Sequence, residues 1–176
     1  MLDFQFAHAM ARDAVHAKLD VATLKAAFPE ALEVQSAAKD REVYLRRPDL
    51  GRALAAACEE TLPKGDYDAV IVIGDGLSAT AVMQNAVPVA QALLARLGGM
   101  KLAPLVIATQ ARVALGDDIG AALGAKLVVM LIGERPGLTV SDSLGIYLTF
   151  DPKRGTPDSA RNCISNVHGQ GGLSAE

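Results

Sequence analysis

The sequence predicts an α/β domain: a Rossmann-like, mostly parallel sheet flanked by helices, with a helical N-terminal region in front of it. Three observations carry this. Residues 68–73, Asp-Ala-Val-Ile-Val-Ile, form an unbroken apolar run that feeds straight into Gly74-Asp75-Gly76, and a run without polar alternation fits a strand buried on both faces. Comparable runs recur at 102–109, 126–132 and 144–150. Helical stretches separate the first three runs, and strand–helix–strand–helix–strand spacing requires parallel pairing through right-handed crossovers.

The elements follow in order. Phe4, Ala7, Ala11, Ala14 and Val15 recur at helical spacing and predict a first helix. Asp20 caps a second over 21–28, which Pro29 ends. Residues 31–36 alternate weakly, as an edge strand does. Pro48 and Asp49 suit a helical first turn, with Leu50, Leu54, Ala57, Cys58 and Leu62 as an apolar stripe and Pro63, Gly65 and Asp66 as the stop. After the run at 68–73, residues 78–84 and 87–97 are helical, separate or kinked at Pro88. A helix over 115–123 carries Asp117 and Asp118 in its first turn and Gly124 just beyond its end. Gly169, Gly171 and Gly172 predict a frayed tail after Asn166. The domain reading is an N-terminal helical region over 1–40 and an α/β domain over 41–176.

Composition narrows the function classes. Half of the 176 residues are apolar (51%) and 21% are charged, so a solvated, disordered chain is excluded. Seventeen Lys and Arg against twenty Asp and Glu, with no basic block, argue against a nucleic-acid footprint. Cys58 and Cys163 are too few for a disulfide scaffold or a zinc-ligand set and read as free thiols in a reducing compartment. Asp3, His8, Arg12 and Asp13 interrupt any signal-like apolar stretch, and polar residues and glycines break 77–116 before it could span a bilayer. The expectation is a cytoplasmic protein.

Open parallel sheets bind ligands outside the carboxyl ends of their strands. That rule marks Gly74-Asp75-Gly76, the stretch Gln110-Ala111-Arg112-Val113, Gly133-Glu134-Arg135-Pro136-Gly137, and the segment from Phe150 to Cys163. Gly74-x-Gly76-x-x-Ala79 resembles a dinucleotide fingerprint, but no Asp or Glu lies between Asp75 and Asp117 to hold a ribose. Tight turn chemistry is the competing account of those glycines. Glu134 offers an acceptor to amide N–H groups and Arg135 a partner for carboxylate or phosphate, unless Arg135 pairs with Asp142 across its own loop. No acid–base pair and no Gly-x-Ser-x-Gly elbow is visible. The chain is expected to supply no catalytic residue and no metal ligand.

Several segments together resemble the small (light) subunit family of ethanolamine ammonia-lyase. They are Tyr44-Leu-Arg-Arg-Pro-Asp-Leu-Gly51, Ile73-Gly-Asp-Gly-Leu-Ser78, Ala111-Arg112-Val113 with Asp117-Asp-Ile-Gly120 after it, Leu131-Ile-Gly-Glu-Arg-Pro-Gly-Leu138, Ser143-Leu144, and Arg161-Asn-Cys-Ile-Ser-Asn166. They keep the family's order over about four-fifths of the chain. The resemblance implies an adenosylcobalamin-dependent lyase of two subunit types that converts ethanolamine to acetaldehyde and ammonia by radical chemistry. It implies that a large subunit holds the substrate, while the small subunit covers the cobalamin at the interface of a hetero-oligomer of large–small pairs. The cobalamin contacts carried over by position are Val113, Glu134 and Cys163. The family keeps the cofactor's own benzimidazole on cobalt. The near-match of Asn166-Val167-His168-Gly169-Gln170-Gly171 to the Asp-x-His-x-x-Gly box of histidine-ligated cobalamin proteins then reads as coincidence. Members usually extend further at both ends, and a bacterial microcompartment is among the expected locations. Two other classes compete: an independent nucleotide-binding oxidoreductase domain built on Gly74-x-Gly76, and a purely structural subunit whose strand ends touch protein only.

Overall fold

The computed structural model describes residues 2–137 and 140–175. Among the described residues six α-helices and six strands follow in the order α1 (Leu2–His16), α2 (Val21–Ala27), β1 (Leu32–Gln35), α3 (Arg41–Arg46), α4 (Ala56–Glu59), β2 (Tyr67–Gly74), α5 (Ala79–Arg96), β3 (Val106–Thr109), α6 (Leu115–Leu123), β4 (Ala125–Gly133), β5 (Leu144–Phe150) and β6 (Arg161–Val167). The strands form one sheet in the order β1-β3-β2-β4-β5-β6. β2 and β4 are the central pair, and all of Val70, Val72, Ile73 and Leu131 are without exposed surface. α6 and the segment around Leu54 and Leu62 cover one face; α2 and α5 cover the other.

The sheet is a mixed one. β1, β3, β2 and β4 run parallel, whereas β5 pairs antiparallel with β4, and β6 antiparallel with β5. The Rossmann-like parallel expectation therefore describes only the first four strands. The physical reason is connection length: a parallel return needs a crossover of a dozen or more residues, and the loop 134–143 is too short for one.

Local chemistry explains most boundaries. Asp20 accepts from the Thr23 N–H (3.1 Å), Asp40 from the Val43 N–H (2.8 Å) and Ser78 from the Ala81 N–H (3.1 Å), so each of α2, α3 and α5 begins on a side-chain cap. Gly124 ends α6 in the left-handed conformation, φ +76°. The two helical stretches around Pro88 form a single helix. Proline removes one backbone bond there, but Val82 and Ala86 before it and Val89 and Ala90 after it bury into the same core, and that packing holds both halves.

Three expectations need correction. The single helix over 48–62 is replaced by a 3-10 turn over Leu50–Arg52 and the one-turn α4, and α3 lies ahead of it. Tertiary hydrogen bonds pull residues 53–55 out of the helix: the Ala37 N–H donates to the Ala53 carbonyl (2.8 Å), the Ala55 N–H to Gln35 (3.1 Å) and the Leu54 N–H to the Asp118 carboxylate (3.0 Å). The strand expected from 102 begins at Val106. Leu102 makes only an isolated bridge to Ala69, and Pro104 has no N–H to extend the ladder. The tail is not frayed as far as Leu173: that residue's N–H donates to the Asn166 carbonyl (2.8 Å), and Val167 and His168 are buried.

Candidate functional site

The carboxyl ends of β2, β3 and β4 meet at Asp75. This buried carboxylate stands directly after β2 and accepts from the N–H groups of Gln110 (2.9 Å) and Ala111 (2.8 Å), the first residues after β3. Gln110 is held at φ +55°, a left-handed conformation costly for a residue with a side chain. Arg41 approaches the same carboxylate at 3.4 Å and donates to the Gly76 carbonyl at 2.9 Å.

This turn chemistry accounts for the glycines of Gly74-x-Gly76. A methyl group on Gly74 would lie 2.6 Å from the Met130 side chain, and one on Gly76 would run into the Gly133 carbonyl oxygen. Both positions are small because neighbouring backbone and core occupy the space. Their spacing is explained without a bound phosphate. The Ser78 hydroxyl already accepts from the α5 N–H group of Ala81, which leaves one fewer donor for an anion.

Beside this junction lies a cleft of about 390 Å³ lined by Tyr44, Leu77, Arg112, Val113, Glu134, Arg135 and Tyr147, with Gly76, Ile132 and Gly133 at its base. Val113, in the β3–α6 loop, and Glu134, the first residue after β4, are thus brought together from distant parts of the chain. Glu134 Oε2 accepts from the Ser143 hydroxyl at 2.5 Å and from the Asn166 N–H at 3.4 Å, so its carboxylate is oriented by the residue before β5 and by β6. Arg135 is exposed on the cleft rim with no ion pair to Asp142 or to any other of the described residues. The Asn85 side chain donates to the main-chain carbonyl of Asp142 (2.9 Å). Leu138, the last residue of that motif, lies outside the described residues.

Cys163 stands apart. It is an exposed thiol on the edge strand β6, opposite Tyr147 in the antiparallel register, and adjoins the cleft through that tyrosine rather than as one of its lining residues. Sequence reasoning placed it in a loop beyond a strand, and β6 went unpredicted because its central residues are exposed and lack an apolar face. It also missed Tyr44 and Tyr147, which nothing local marks as cleft residues; Arg112 lay in the stretch 110–113 that the strand-end rule marked, without a role of its own.

Burial pushes the Tyr44 phenol up to about 12, and burial, with the Cys163 thiol beside it, does the same for Tyr147. A folded-state value above the ordinary 10.0 means that folding disfavours the phenolate. The stability held by these two groups is then complete below pH 10 and is lost as pH rises toward 12. An ultraviolet titration of the native protein should show two of the three tyrosines ionising late. Native phenolate absorbance complete by pH 10.5, ahead of unfolding, would contradict this placement.

Fold and site together define the class: an α/β protein with an open cleft outside the carboxyl ends of parallel strands, where such sheets bind ligands, at the junction of loops from β2, β3 and β4. Comparison with known proteins narrows it further. The ethanolamine ammonia-lyase light chain (EutC) family matches residues 1–176. Similar proteins include the ethanolamine ammonia-lyase small subunits of Azotobacter vinelandii (50% identical, 97% of this chain and 67% of the relative), Pseudomonas fluorescens (51%, 97% and 66%) and Bradyrhizobium diazoefficiens (52%, 97% and 69%). The chain belongs to the ethanolamine ammonia-lyase light chain family, and it spans about two thirds of the length of these relatives.

Proposed function

We propose that the chain acts as the small subunit of an adenosylcobalamin-dependent ethanolamine ammonia-lyase, helping to bind the cofactor at its interface with a catalytic large subunit. The observation that carries this reading is the convergence of Val113 and Glu134 on one cleft with the unpaired Arg135 at its rim. The lining suits a corrin edge. Val113 and Leu77 offer apolar contact, the Glu134 carboxylate accepts from side-chain amides, and Arg135 and Arg112 donate to amide carbonyls or a phosphate. A cleft of about 390 Å³ takes an edge of such a cofactor rather than all of it, which supports a partner that covers the remainder. Cys163 contributes packing beside Tyr147. When bound, the cofactor supplies the radical chemistry that turns ethanolamine into acetaldehyde and ammonia. This chain's part is to hold and orient it. The chemistry lies with the cofactor and the large subunit in this reading, so the isolated chain releases no ammonia.

Residues 41–176 form the cobalamin-binding unit in this reading, and 1–40 supply α1, α2 and the edge strand β1 of the same sheet. The assembly is a hetero-oligomer of large–small pairs in the cytoplasm or a bacterial microcompartment. Among the described residues no helix is long and apolar enough to cross a membrane.

Acetaldehyde formation should require this chain, a large subunit, adenosylcobalamin and ethanolamine together, each omitted in turn as a control. Turnover by this chain without a large subunit would overturn the assignment. In the assembled complex, Glu134→Ala should weaken adenosylcobalamin binding by about 1–3 kcal/mol, the cost of a lost charge-assisted hydrogen bond. A purely structural subunit is the second reading, favoured by the engagement of Glu134 with Ser143 and Asn166. Ser143→Ala separates the two. It removes the internal bond and keeps the carboxylate, so it should leave most cofactor affinity in place. Loss of assembly in both variants, with cofactor affinity unchanged, would favour the structural reading.

A further inference from the structure

The motif Tyr44-Leu-Arg-Arg-Pro-Asp-Leu-Gly51 supplies only one residue to the cleft lining, yet its two ends grip the loop that does. Tyr44 is fully buried, and its hydroxyl donates to the Ala111 carbonyl at 3.0 Å. The Ala111 N–H donates in turn to Asp75, so that residue is clamped on both sides of its peptide unit. The next N–H, that of Arg112, donates to the Gly51 carbonyl at 2.8 Å. A methyl group on Gly51 would lie 2.9 Å from both the Arg112 and Tyr44 side chains. The guanidinium groups of Arg41 and Arg112 stand 4.6 Å and 4.4 Å from the centre of the Tyr44 ring. Three anchors from three elements therefore fix the peptide units on which Arg112 and Val113 are mounted. They also hold Gln110 in its left-handed conformation.

We propose that Tyr44 and Asp75 are positioning residues for the cofactor cleft: the Tyr44 hydroxyl and the Asp75 carboxylate set Arg112 and Val113 through Ala111. The inference rests on the cobalamin reading above. Without the Tyr44 hydroxyl, the Ala111 carbonyl is left buried and unpaired, and the loop is free to leave the one conformation that presents both side chains. Asp75 receives an N–H on each oxygen. Asparagine cannot replace it, because its amide must turn an N–H toward one of those donors.

The test uses the assembled complex with its large subunit. Tyr44→Phe keeps the ring and removes one oxygen. It should raise the Kd for adenosylcobalamin roughly five- to tenfold and speed amide exchange at Arg112 and Val113. At saturating cofactor the change in kcat should be smaller than the change in Kd. Asp75→Asn should move the same quantities in the same direction, and if it fails to assemble the phenylalanine variant decides. Unchanged cofactor Kd in Tyr44→Phe overturns the inference. So does a fall in kcat and Tm with the cofactor KM unaltered, since that marks a merely structural role. Failure of the wild-type complex to bind adenosylcobalamin overturns the cobalamin reading, and this inference with it.

Discussion

Arg161→Met should cost about 3–5 kcal/mol of folding stability, read as a shift of the urea midpoint, because it leaves a buried carboxylate without its partner. Arg161 and Asp117 have only 3% and 2% of their side-chain surface exposed and form a two-pronged pair at 2.5 and 2.7 Å. The same guanidinium donates to the Thr149 hydroxyl (3.0 Å) and the Thr156 carbonyl (2.8 Å). One side chain thus joins β6, β5 and the loop between them to the first turn of α6. The pair itself need not add net stability, because desolvating two charges offsets their attraction. The double variant Arg161→Met/Asp117→Leu should therefore recover most of what the single one loses. A single-variant loss below about 1 kcal/mol would show that the carboxylate finds water or another donor.

Gly76→Ala should be comparably damaging by a different mechanism. Its φ of +56° costs a residue with a side chain about 1–2 kcal/mol. The new methyl would also meet the Gly133 carbonyl oxygen and lie 2.7 Å from the Ile132 side chain, and forced shifts of packed groups add roughly 1–3 kcal/mol. Those neighbours form the base of the cleft, so cofactor affinity in the complex should fall together with stability. An alanine variant with wild-type melting and wild-type affinity would mean that the turn relaxes freely. The close approach of β2 and β4 at this point would then have no bearing on the cleft.

Backbone chemistry made much of this arrangement readable before any coordinates. The unbroken apolar run before Gly74 marks a strand buried on both faces, Asp20 and Gly124 mark helix ends, and the rule for parallel sheets selects the loops holding Val113 and Glu134. Those features depend on residues close in sequence, or on the two-sided burial of a central strand, and they left a trace in the residue pattern. β6 left none. It is an edge strand with an exposed interior, and its pairing to β5 is made by main-chain hydrogen bonds that any residue can form. The same holds for residues 53–55, whose helical stripe is overridden by hydrogen bonds to Gln35, Ala37 and Asp118.

The resemblance motifs show the division most clearly. Family membership, the parallel part of the sheet and the strand-end loops that carry Val113 and Glu134 follow from the order and chemistry of the residues alone. What these segments do is a matter of partners outside the motif itself: Tyr44 with Ala111, Asp75 with Gln110, Arg161 with Asp117, Glu134 with Ser143. A side chain's hydrogen-bonding capacity is written in its own residue, but its partner is chosen by the crossovers that fold distant strand ends against one another. For that reason Cys163 shared the strand-end expectation with Val113 and Glu134, yet the antiparallel return of β5 and β6 placed it across from Tyr147, one residue away from the cleft.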